Sequence, residues 1–69
     1  MVTINGVNED VAGKTLSEYL SSSNYNLQRI VVEINENIIP KTDYEKTTLN
    51  DGDVVEVVSF VGGGWYGTF

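Results

Sequence analysis

Val54-Val55-Glu56-Val57-Val58-Ser59-Phe60-Val61 is the longest stretch of strand-forming sequence in the chain. Its β-branched and aromatic residues suit a pleated, half-buried surface. Glu56 sets the alternation. With Glu56 toward solvent, Val55 and Val57 face a core, and Val54, Val58 and Phe60 share the outer face with the acid. The cluster Asn50-Asp51-Gly52-Asp53 reads as the turn that introduces this strand. A second run, Ile30-Val31-Val32-Glu33-Ile34-Asn35, reads the same way. Glu33 points out, Ile30, Val32 and Ile34 point in, and Val31 lies beside Glu33 on the outer face.

The segments around these two strands are shorter. Val2 and Ile4 alternate with Thr3 and Asn5, and Asn5-Gly6 signals a two-residue hairpin turn whose central residues both need positive φ. The return strand runs from Val7 to Val11 and is polar enough for an edge. Thr15-Leu16-Ser17-Glu18 matches the capping box, and Leu16, Tyr19 and Leu20 follow on one helical face. Ser21-Ser22-Ser23-Asn24 ends that helix after two to three turns. Glu36-Asn37 suggests a turn, with a short Ile38-Ile39 strand stopped by Pro40. Residues 41–49 read as irregular, anchored by Tyr44 and Leu49. One short helix can serve this many strands only if the sheet wraps across it. The expected class is α+β: a mixed four- to five-stranded sheet with one short helix packed on one face, the β-grasp layout of ubiquitin. Residues 1–61 form the domain, and 62–69 form a flexible glycine-rich tail.

Composition narrows the function. The 69 residues contain no cysteine and no histidine. Disulfides, thiolate nucleophiles and the commonest acid–base group and metal ligand are therefore missing. A domain of this size buries only about 60% of the surface its unfolded chain exposes, which leaves no depth for a self-contained active site. A carrier or binding module fits better than an enzyme, with no metal and no bound cofactor expected. The net charge of −6 argues against nucleic acid and against anionic membrane surfaces. It fits a basic partner surface, and solubility alone accounts for it equally. No apolar run reaches the length of a membrane span, and the first residues lack a signal-peptide pattern, so the expected location is the cytoplasm.

One helix covers one side of a sheet, so if these two strands are neighbours, Val31, Val54, Val58 and Phe60 form an exposed apolar group on the other. Such a patch rimmed by acids marks a docking surface, with Phe60 nearest the tail. Strand propensity by itself also explains these residues. Gly62-Gly63-Gly64 then follows. Three glycines do not help a strand, but they let the main chain enter a slot that any side chain would block. A glycine carboxylate at such an end would be unhindered for activation. The chain continues instead with Trp65-Tyr66-Gly67-Thr68-Phe69.

Several of these segments resemble the ThiS-type sulfur carriers. The similar stretches are Thr15 to Leu20, Val32 to Lys41 with Tyr44, Leu49 to Val58, and Phe60-Val61-Gly62-Gly63-Gly64. The resemblance covers residues 1 to 64 and implies a β-grasp fold. It also implies that Gly63 and Gly64 are the conjugating pair. A ThiF-type adenylating enzyme, using ATP and Mg, converts the Gly64 carboxylate to an acyl-adenylate. Sulfur from a persulfide donor of the cysteine desulfurase system replaces AMP, and thiazole synthase takes it from the thiocarboxylate for the thiazole ring of thiamin. Val58 and Phe60 match the docking region. A MoaD-type molybdopterin carrier and a ubiquitin-like modifier without sulfur transfer are the alternatives. The departure is Trp65 to Phe69, since such carriers usually end at the glycines. The extension implies a precursor trimmed after Gly64 by a processing protease. An appended expression segment, an active tail in another register, or a member that has lost carrier activity would also produce it.

Overall fold

The computed structural model describes residues 1–60. Five strands and one α-helix follow in the order β1 (Val2–Ile4), β2 (Val7–Glu9), α1 (Leu16–Ser22), β3 (Ile30–Ile34), β4 (Asn37–Ile39) and β5 (Val54–Ser59). The strands form one sheet in the spatial order β2-β1-β5-β3-β4. β5 runs parallel to β1 and antiparallel to β3, so the sheet is mixed. Short 3-10 turns occupy Leu27–Arg29 and Lys41–Asp43. Among the described residues, no helix is long and apolar enough to cross a membrane.

The core follows from strand alternation. Val2 and Ile4 of β1, Ile30, Val32 and Ile34 of β3, and Val55 and Val57 of β5 all point to one side and are buried. Leu16, Tyr19 and Leu20 of α1 close that side, with Tyr44 and Leu49 completing the cluster. The helix starts at Thr15. Its Oγ1 accepts from the Glu18 amide at 3.1 Å, and Glu18 Oε1 accepts from the Thr15 amide at 2.8 Å. Hydrogen bonding to the Glu18 carboxyl, from the Thr15 backbone amide first and the Thr15 side chain second, holds it below its ordinary range. The next loop ties the helix down: the Leu16 and Ser17 amides donate to the carbonyls of Thr47 and Tyr44 at 2.7 and 3.0 Å.

Both hairpins turn through two residues at positive φ. Asn5 and Gly6 stand at 51° and 82°, and Asn35 and Glu36 at 51° and 72°. Each asparagine also reaches across to β5. The Val57 amide donates to Asn5 Oδ1 at 2.8 Å, and Asn5 Nδ2 donates to the Val57 carbonyl at 3.2 Å. The carboxamide thereby does the work of one more strand residue after β1 has turned away. On the other side the Val54 amide donates to Asn35 Oδ1 at 3.0 Å, and Asn35 Nδ2 donates to Asp53 Oδ1 at 3.0 Å.

Several boundaries differ from the expectation. The return strand of the first hairpin stops at Glu9 rather than Val11, because the chain must leave the sheet to reach the Thr15 cap. The second turn uses Asn35-Glu36, so β3 ends at Ile34 and Asn37 opens β4. The helix, at seven residues, is at the short end of the expected range. Residues 41–49 are more ordered than expected, holding a 3-10 turn and a bridge from Thr48 to Thr15. β5 ends at Ser59, with Phe60 just beyond it, and Val61 lies outside the described residues.

Two outcomes follow. Asn5→Ala forfeits the two Val57 hydrogen bonds and places an alanine at positive φ, so urea denaturation should show a loss of about 2 kcal/mol. Asn5→Gly tolerates the φ and should lose only about 1 kcal/mol. Equal losses would mean that backbone strain plays no part. The second outcome concerns acid. Glu18 has a lowered folded pKa, so its charge stabilises the fold above the unfolded value and that contribution fades as pH falls through the folded one. Glu18→Gln keeps a capping side chain without the charge. Its denaturation midpoint should therefore fall less than the parent's on acidification below about pH 4.3.

Candidate functional site

The helix covers one face of the sheet and leaves the other open. Register sets what lies there. Val31 stands opposite Val58, Glu33 opposite Glu56, Ile38 opposite Glu33, and Thr3 opposite Val54. Each of these residues is out of phase with the buried ones, so all share the outer face. Val54 is 50% exposed and Val58 40%. Val31 is half-buried because its neighbours crowd it on a central strand. The structure thus places Val31, Val54 and Val58 on one face as the alternation predicts, with the Glu33–Glu56 pair between Val54 and the Val31–Val58 pair.

Phe60 is half-buried and stands one residue past β5. Its amide donates to the Arg29 carbonyl at 2.9 Å, which continues the β3 side of the ladder beyond the strand. The route from Val58 to the tail is therefore held by the backbone up to Phe60. Gly62, Gly63, Gly64 and the extension Trp65 to Phe69 lie outside the described residues.

Ile38 belongs to this face and escaped the sequence reading. It is 65% exposed and sits on the edge strand β4. The available signal was the pair Ile38-Ile39, since only one of two successive strand residues can face the core. Here Ile39 packs against the core and Ile38 is left outside.

The electrostatics of the face are one-sided. Glu33 and Glu56 are a directly opposed pair of like charges, an arrangement that costs stability in a sheet. With Asn35, Glu36 and Val54 they line a shallow concavity. Among the described residues no group of Asp and Glu is arranged to hold a metal ion. The tyrosines with raised pKa, Tyr44 and Tyr25, are shifted first by burial and belong to the core side, away from this face. The face offers apolar area and negative charge, which suit recognition of another protein rather than bond-making.

Comparison with known proteins matches this arrangement. The family model described as "ThiS family" matches residues 2–64. Sulfur carrier protein ThiS of Bacillus subtilis is 40% identical over 68 residues, covering 93% of this chain and all of that protein. A thiazole synthase of Paramagnetospirillum magneticum is 36% identical over 64 residues. The chain spans 20% of that longer protein's length. The crystal structure of the thiamine biosynthesis protein ThiS from Geobacter metallireducens superposes with a TM-score of 0.74 at 33% identity, covering 91% of this chain and 97% of that one. Its likeness confirms the β-grasp sheet with one helix. By sequence over residues 2–64 and by fold, the chain belongs to the ThiS family.

Proposed function

We propose that this protein is a sulfur carrier of thiamin biosynthesis, and that Gly64 bears the sulfur once the residues after it are removed. The observation that carries this reading is the extent of the family match. It runs through the glycine run and stops at residue 64, before the extension. Relatives of the same length are named sulfur carriers, and a longer one is named thiazole synthase. A carrier-like stretch within a thiazole synthase supports thiazole synthase as the sulfur acceptor.

The chemistry assigns the residues their parts. A carboxylate is a poor electrophile. A ThiF-type partner with Mg and ATP joins the Gly64 carboxylate to the α-phosphate and releases pyrophosphate. A persulfide sulfur from a cysteine desulfurase system then displaces AMP, and a thiol reduces the remaining S–S bond to leave a thiocarboxylate. The carrier supplies reach and recognition, and no acid, base or metal. Gly62 and Gly63 let the main chain enter the partner's active site without a side-chain clash. Val31, Val54, Val58 and Phe60 dock on an apolar surface of the partner, with Glu33 and Glu56 beside them for a basic rim. While Trp65 to Phe69 remain, Gly64 is held in an ordinary amide. A processing protease must hydrolyse the Gly64–Trp65 bond first. A cytoplasmic location, where ATP is available, suits this reaction.

The test compares the full chain with one ending at Gly64, each mixed with a ThiF-type enzyme and Mg-ATP and read by mass. The shortened chain should form an acyl-adenylate at Gly64, and the full chain should not. In the shortened chain, Phe60→Asp should weaken binding by about tenfold or more with an unchanged circular dichroism spectrum. Adenylation of the full chain at Phe69, at the rate of the shortened chain, would contradict the proposal.

A further inference from the structure

Asn5-Gly6 is the single Asn-Gly pair in the chain. A glycine has no side chain to shield its backbone nitrogen, so that nitrogen can attack the carboxamide of an asparagine before it. Every other asparagine is followed by a residue with a side chain. In the folded chain the attacking group at this pair is open. Among the described residues nothing accepts from the Gly6 amide, and a Cβ built on Gly6 would meet nothing within 4 Å. At Asp51-Gly52 the corresponding amide is occupied, donating to the Met1 carbonyl at 2.8 Å. The group under attack, by contrast, is held. The Asn5 carboxamide reaches across to β5, where Oδ1 accepts from the Val57 amide at 2.8 Å and Nδ2 donates to the Val57 carbonyl at 3.2 Å. Ring closure onto Gly6 requires the carboxamide to leave both.

We propose that Asn5 is a site of spontaneous deamidation, gated by the opening of its clamp on Val57. The Gly6 nitrogen bonds to Asn5 Cγ, and its proton passes through solvent to the departing amine. The Cγ–Nδ2 bond breaks, and ammonia leaves. Water then adds across either ring C–N bond of the succinimide, giving isoaspartate or aspartate. Water is the sole co-reactant, and nothing is oxidised or reduced.

Either product loosens β5 where β1 has already turned away. A carboxylate still accepts from the Val57 amide, but it has no proton for the Val57 carbonyl, so two acceptors are left facing each other. An isoaspartate adds a methylene to the main chain, which disrupts the two-residue turn that sets Ile4 opposite Val7. The new negative charge joins a chain already at −6 and contacts β5 one residue after Glu56. The change runs one way, at a rate set by how often the first hairpin opens.

The test incubates the full chain at mildly alkaline pH, in buffer and in urea that unfolds it. Peptide mass mapping locates each carboxamide converted to acid and separates isoaspartate from aspartate. In urea Asn5 should react before any other asparagine. In buffer it should react about tenfold or more slowly than in urea, because two hydrogen bonds must open first. Exchange of the Val57 amide measures the same opening independently, since this amide donates to Asn5 Oδ1. The fold should slow both processes by a similar factor, and urea below the unfolding transition should raise both together. Asn5→Asp reproduces the aspartate product and should lower the urea midpoint. Deamidation of Asn5 in buffer at its rate in urea would overturn the proposal. So would an unfolded chain in which another asparagine reacts first, or slow deamidation in a folded chain whose Val57 amide exchanges freely. An unchanged midpoint in Asn5→Asp would overturn the loosening of β5.

Discussion

The hydrogen-bond ladders on the two edges of β5 hold the domain together. β5 is the central strand, parallel to β1 on one side and antiparallel to β3 on the other. A strand in that position joins the two hairpins, one from the start of the chain and one from its middle. Its inward residues Val55 and Val57 share one buried core with Leu16, Tyr19 and Leu20 of α1. The first hairpin is too short to pair with all of β5, and the second turns away just where β5 begins. Asn5 and Asn35 supply the missing contacts with their carboxamides while also adopting the positive φ of the turns. Each thus serves turn geometry and sheet register together.

The same constraint leaves the outer face of the sheet open. A single seven-residue helix can cover only the inner face of a five-stranded sheet. The outer face keeps Val54, Val58 and Ile38 exposed, with Glu33 and Glu56 set against each other across two central strands. An opposed pair of like charges lowers stability, and a partner's basic group would relieve it. β5 also delivers the chain to Phe60, where the Arg29 carbonyl holds the backbone immediately before the tail. The proposed docking residues Val54 and Val58 therefore lie on the strand that leads to Phe60.

Much of this was legible because strand alternation has a period of two. Glu33 and Glu56 fix the phase, so Ile30, Val32, Ile34, Val55 and Val57 fall inward and Val31, Val54 and Val58 fall outward, as found. Asn5-Gly6 and the Thr15–Glu18 capping box carry their own local chemistry and were readable for that reason. The Asn35-Glu36 turn was misplaced by one residue, because a glutamate at φ 72° has no turn signature of its own. The 3-10 turn at Leu27–Arg29 is too short for any periodicity. The insertion of β5 between β1 and β3 depends on long-range pairing, which local pattern does not encode. Ile38 was missed for the same reason, since its exposure depends on which of Ile38 and Ile39 faces the helix.

The account centres on Gly64 as the residue that carries sulfur after the chain behind it is removed. Intact-mass analysis of the protein isolated from its native cells, grown without thiamin, addresses this most directly. The account predicts a species lacking Trp65 to Phe69, a fraction of which has one oxygen replaced by sulfur at the Gly64 carboxyl. A uniform full-length mass in cells that are making thiamin would contradict it.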